Sequence, residues 1–128
     1  MPENTIGEKI RKLRAMHHLE RNELAKLIGC HIDTVENWEN ENVPPKIYNI
    51  EKLCNLFDVQ AEYFHEYYSI LKTDYVKRIL TYKNTNGLNY QQLGLLLGIS
   101  ESTIKRIINK KLILSLKLFY KLKDNLIV

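Results

Sequence analysis

The sequence predicts an all-α chain built from one small helical unit present twice. Three observations predict it. First, residues 19–38, LERNELAKLIGCHIDTVENW, align without a gap with residues 88–107, LNYQQLGLLLGISESTIKRI, at an offset of 69. Leu19, Leu24, Leu27, Gly29 and Thr34 match Leu88, Leu93, Leu96, Gly98 and Thr103, and the offset extends to Ile10/Ile79, Asn40/Asn109 and Leu53/Leu122. Second, apolar residues recur at helical spacing and strand signals are few. Third, only five Gly and three Pro interrupt the pattern, none of them between Lys46 and Asn86.

The elements follow in order. Ile6, Ile10 and Leu13 give a first helix one apolar face. Leu24, Ala25 and Leu27–Ile28 place apolar groups on one side of a short second helix. Gly29 stops that helix, because glycine tolerates the left-handed backbone of a helix C-terminus. His31 or Asp33 starts the next helix, with Val35 and Trp38 facing inward. Ile47, Ile50 and Leu53 mark the core side of a fourth. Residues 63–80, YFHEYYSILKTDYVKRIL, read as a helical connection. Its aromatic group Tyr63, Phe64, Tyr67, Tyr68 and Tyr75 is expected to bury area, in a core between the repeats or in a dimer interface, rather than to stack on bases.

The second copy repeats the scheme. Tyr75, Ile79 and Tyr82 supply the covering face, Gly98 the stop and Ser100 a strong N-cap, while Ile104, Ile107 and Ile108 turn inward. The terminal LILSLKLFYKLKDNLIV is amphipathic and basic, as a membrane-surface helix would be. Leu116, Phe119 and Leu122 align with Ile47, Ile50 and Leu53, which favours a core role. Two short helices joined by a glycine turn cross steeply, the helix-turn-helix arrangement. The expected domains are residues 1–68 and 69–128.

The charge is unevenly divided. Residues 1–64 carry 8 Lys/Arg against 11 Asp/Glu, a net of −3, whereas residues 65–128 carry 11 against 4, a net of +7. A basic half points to a polyanionic partner, since phosphate neutralisation drives nucleic-acid affinity. Cys30 and Cys54 are isolated and read as buried thiols rather than a disulfide. With His31 and His65 they fit no zinc-ligand spacing, so neither a metal nor any other cofactor is expected. No apolar run reaches the ~20 residues needed to cross a bilayer. Glu8, Lys9 and Arg11 interrupt any signal-peptide core, and a cytoplasmic location is expected. The sequence contains no glycine-rich phosphate cradle, no Ser-His-Asp set and no acid/base carboxylate pair, which argues against an enzyme.

The first half resembles the Cro/repressor (XRE-like) helix-turn-helix family. The resemblance rests on IGEKIRKLR, L-x-x-x-E-L-A-x-x-x-G, T-V-x-x-W-E, a proline, and I-x-x-L-C-x-L-F-D-V. It covers about residues 5–65, and the second half is similar more loosely, through LNYQQLGLLLGISESTIKRIINKK. The resemblance implies two tandem lambda-repressor-like units that dock the second motif helix in the DNA major groove. In the first copy it implies base readers Ile32, Asp33 and Asn37, with phosphate contacts from Arg21 and Asn40. In the second it implies readers Glu101, Ser102 and Arg106, with phosphate contacts from Tyr90, Asn109, Lys110 and Lys111. Lys105 belongs to the same cationic helix. It further implies a structural pair between Glu39 and Arg14, replaced in the second copy by packing of Lys83 and Ile108.

Two departures stand out. The family's usual glutamine at the start of the first motif helix is Arg21 here, and Tyr90 in the second copy. The first reading segment also carries Asp33, Glu36 and Glu39 and no cation, which opposes a phosphate groove. The sequence thus reads as a sequence-specific DNA-binding regulator, a repressor of phage or mobile-element type, acting as a homodimer on double-stranded DNA. The alternative is an antitoxin or antirepressor whose acidic first half binds a protein.

Overall fold

The structure, a computed structural model, describes residues 5–128. Among these every regular element is helical. The chain divides into two compact units, residues 1–69 and 70–128.

In the first unit, α1 (Ile6–Met16) starts on Thr5, whose side chain accepts from the Glu8 amide. Helix α2 (Arg21–Ile28) opens with a reciprocal capping box between Glu20 and Glu23 and ends on Gly29 at φ 83°. Helix α3 (Ile32–Asn40) starts on His31, whose Nδ1 accepts from the Asp33 amide at 3.1 Å. Of the two starts the sequence allows, the imidazole takes the cap. Helices α4 (Ile47–Phe57) and α5 (Ala61–Phe64) follow, and α6 (Glu66–Leu71) begins in this unit and ends two residues past its boundary.

Ile10, Leu24, Val35, Ile50, Leu53 and Phe64 are sealed from solvent in this unit, at 0% exposure. Burying side chains of this size contributes roughly 1.5–3 kcal/mol each. Gly7 lets α1 press against α3, because a Cβ there would strike the Trp38 carbonyl. The Tyr68 hydroxyl donates to the Pro45 carbonyl at 2.6 Å, inside the core. That burial, with Tyr67 beside it, raises the Tyr68 pKa well above the ordinary phenol value.

Helices α7 (Tyr75–Thr85), α8 (Tyr90–Leu97), α9 (Glu101–Ile108) and α10 (Leu116–Asp124) form the second unit. Each starts 69 positions after its counterpart α1, α2, α3 or α4. Asp74, Asn89, Ser100 and Ser115 cap them, each accepting a backbone N–H through its side chain. Gly98 repeats the left-handed stop of Gly29, at φ 70°. The buried residues Ile79, Leu93, Leu97, Ile104, Ile107, Phe119 and Leu122 stand at the offset positions of Ile10, Leu24, Ile28, Val35, Trp38, Ile50 and Leu53.

Three expectations are corrected. Leu27 does not face the core: it is 58% exposed, as α2 has only two turns and Leu24, Ala25 and Ile28 already fill its inner side. Its counterpart Leu96 is exposed too. Residues 63–80 are not one helix but parts of α5, α6 and α7, broken at His65, which is extended (φ −172°), and again between Leu71 and Tyr75. Both cysteines are half-buried rather than buried, and neither forms a disulfide.

Candidate nucleic-acid interface

The turn between α2 and α3 sets the geometry in the first unit. The left-handed Gly29 ends α2, and Cys30 and His31 carry the chain into α3. Val35 and Trp38 turn inward, so the opposite side of α3 meets solvent. There Asp33 and Asn37 are exposed and Ile32 is half-buried.

Glu39 organises the cations around it. Its carboxylate is fully buried. It accepts from Arg14 through two hydrogen bonds of 2.9 Å, from Arg21 Nε at 3.1 Å and from Arg11 Nε at 3.4 Å. Burial pushes the Glu39 pKa up, but the hydrogen bonds from Arg14 and Arg21 and their charges outweigh it, and the net shift is downward. The bond to Glu39 raises the Arg14 pKa in turn. The expected Glu39–Arg14 pair is therefore present, with two further arginines that the sequence reading did not connect to it.

This network alters the position of two proposed phosphate contacts. Arg21 points its Nε at Glu39 and its Nη2 toward Asn40 Oδ1 at 3.4 Å, leaving the side chain one-third exposed. Asn40 is exposed, with Oδ1 accepting from Arg11 Nη2 at 2.9 Å. Both groups reach the surface, but as members of an ion-pair network. Arg14, Glu20, Arg21, Asn22, Ile32 and Glu36 line an open depression beside it.

The corresponding region of the second unit is built differently. Ile108 stands where Glu39 stands in the first unit, so no buried carboxylate draws the cations inward. Helix α9 turns Ile104 and Ile107 to the core and leaves Glu101, Ser102, Lys105 and Arg106 exposed. Asn109, Lys110 and Lys111 follow, all exposed, with Lys110 left-handed at φ 61°. Lys105 Nζ donates to Glu101 at 3.1 Å, a solvent-exposed i,i+4 pair. Such pairs contribute only about 0.3–0.5 kcal/mol. Tyr90, at the start of α8, is half-buried, with Lys83 Nζ 4.6 Å and Lys105 Nζ 5.6 Å from its ring centroid.

No ion pair among the described residues stands in place of Arg14–Glu39 here: Lys83 and Ile108 are both half-buried. Lys83 packs over the face of the Tyr90 ring. Among the described residues no group of His, Cys, Asp and Glu is arranged to hold a metal ion, and no helix is long and apolar enough to cross a membrane.

A family model described as helix-turn-helix matches residues 10–64. That segment carries α2, the Gly29 turn and α3. No curated protein and no solved structure matches the chain.

Proposed function

We propose that the chain is a sequence-specific DNA-binding transcription regulator of repressor type. The helix-turn-helix match over residues 10–64 carries this reading, because it falls on the segment where a glycine turn presents the free side of α3. Ile32, Asp33 and Asn37 are the base readers of this unit: isoleucine suits a thymine methyl, aspartate a cytosine amino group, and asparagine two edges of adenine. Arg21 and Asn40 contact the backbone.

The second unit acts as a divergent copy. The common offset of four helix starts, the repeated left-handed glycine and the matching buried positions support that reading. Arg106, suited to guanine, reads bases with Glu101 and Ser102. Lys105, Asn109, Lys110 and Lys111 supply backbone affinity. The assembly is a two-fold dimer on a palindrome with half-sites about one helical turn apart.

Binding of the full chain to DNA selected from a random pool tests the reading. Arg106→Ala should cost ~1–3 kcal/mol and relax preference at one base position. A small loss that is uniform across sequences demotes Arg106 to a backbone contact, and a chain that selects no DNA overturns the reading.

One observation favours a protein partner for the first unit. Its solvent side carries the exposed Asp33 and Glu36, which is half-buried rather than exposed as the sequence suggested, while Arg11, Arg14 and Arg21 are engaged with Glu39. Loss of a protein partner on Asp33→Asn with Glu36→Gln, at constant DNA affinity, would favour this antitoxin-like or antirepressor-like role.

A further inference from the structure

Three elements converge on the Tyr90 ring: α7 through Lys83, α8 through Tyr90 itself, and α9 through Lys105. Lys83 Nζ lies 4.6 Å and Lys105 Nζ 5.6 Å from the ring centroid, both within reach of a cation–π attraction. That attraction restricts both flexible side chains. The only carboxylate seen bonding to either lysine among the described residues is Glu101, through Lys105.

Among the described residues the hydroxyl of Tyr90 donates no hydrogen bond that would explain the placement of the ring. A tyrosine at a helix start beside two lysines thus differs from the single-donor phosphate contact that the alignment gives it. The ring holds cations, and the cations remain open to solvent on their other sides: Lys105 is half exposed and Lys83 partly so.

We infer that Lys83 and Lys105 both contact the phosphate backbone of a DNA duplex, and that Tyr90 is the positioning residue that holds them there through its ring rather than its hydroxyl. Glu101 occupies Lys105 in the unbound chain and yields it to the incoming phosphate. The inference rests on DNA being the ligand, but it names a residue, Lys83, and a role for Tyr90 that the DNA-binding reading does not require.

The test is salt-titrated binding of the full chain to a mixed-sequence DNA duplex, followed by fluorescence anisotropy. Each phosphate contact contributes about 0.9 to the slope of log affinity against log salt. Lys83→Gln should lower the slope by about that amount. Tyr90→Phe should keep both affinity and slope, whereas Tyr90→Leu should weaken binding and flatten the slope while leaving the helical circular dichroism signal in place.

An unchanged slope for Lys83→Gln, in a parent chain that binds with a clear salt dependence, overturns the inference and leaves DNA binding intact. A Tyr90→Phe loss as large as that of Tyr90→Leu assigns the contact to the hydroxyl and overturns the platform role. A parent chain that does not bind the duplex even at low salt removes the DNA-binding reading itself, and the inference with it. If Tyr90→Leu does not fold, Lys83→Gln and Tyr90→Phe decide the matter.

Discussion

Helices α3 and α9 start 69 positions apart and bury matching residues, yet they carry opposite charge. In the first unit a buried carboxylate at Glu39 gathers three arginines, and the solvent side of the helix is left with the exposed Asp33 and the half-buried Glu36. In the second, an isoleucine at the same register gathers nothing, and Lys105 and Arg106 face the solvent. The surface differs at its own positions as well: Leu80 and Tyr90 stand where Arg11 and Arg21 stand, and Lys105 and Arg106 where Glu36 and Asn37 stand. The same backbone scheme yields a unit tied together by ion pairs and a unit held by apolar packing with a basic exterior.

Removing the organising carboxylate is the strongest way to break this contrast. Glu39→Ala strands Arg14, which is only 15% exposed at its side chain, and should cost ~3–5 kcal/mol. Arg11 and Arg21 are more exposed and add little to that figure. Chemical denaturation followed by circular dichroism measures it.

The pH dependence carries the same signature. Glu39 has a folded pKa below its unfolded value, so its contribution is present above the usual glutamate value of about 4.3 and is lost as pH falls through the lower folded value. Glu39→Gln should therefore be less stable near neutrality and show a flatter decline on the acid side, while the corresponding Ile108→Val should leave that decline unchanged.

Close backbone approach sharpens the comparison next. Gly7→Ala drives a methyl into the Trp38 carbonyl and should destabilise the first unit by ~1–3 kcal/mol. Gly94→Ala meets the Ile99 carbonyl at 2.7 Å, but the first unit already holds Ala25 at this register, buried at 3% exposure. The fold thus accommodates a methyl there, and the loss should be the smaller of the two in thermal melts.

The smallest effect is electrostatic. On mixed-sequence DNA, where no base is selected, Asp33→Asn with Glu36→Gln should tighten binding a few-fold at low salt and lose that advantage at high salt, because surface charges are screened. An affinity indifferent to both substitutions at every salt concentration separates the exposed side of α3 from the phosphates and leaves the second unit as the DNA-binding part.

Much of the fold was legible because the signals were local. Gly29 and Gly98, the N-cap Ser100 and the apolar spacing of Val35, Trp38, Ile104 and Ile107 each act within one or two turns, and the structure places helix ends and buried faces there. Less legible was anything that crosses between helices. The convergence of Arg11 and Arg21 on Glu39 joins residues 28 and 18 positions apart, and no spacing rule announces it. The ring of Tyr90 gathers its lysines from two other helices for the same reason.

The break at His65 is not legible in the sequence, because neither Gly nor Pro marks it. Its Nδ1 accepts from the Tyr67 amide, which lets the chain restart a helix from an extended residue. Leu27 misled because hydrophobicity alone does not say which of two adjacent leucine-like positions a short helix can bury.

Tyr68 sets where the first unit can be cut. The helix-turn-helix match stops at residue 64, yet the Tyr68 ring is wholly enclosed and its hydroxyl bonds the Pro45 carbonyl in the segment between α3 and α4. A fragment trimmed to the matched motif leaves a ring-sized void and an acceptor without its donor, so the shortest piece able to stand alone runs past that tyrosine. Limited proteolysis should accordingly spare residues 65–68 and cleave first in the exposed stretch from Lys72 to Asp74.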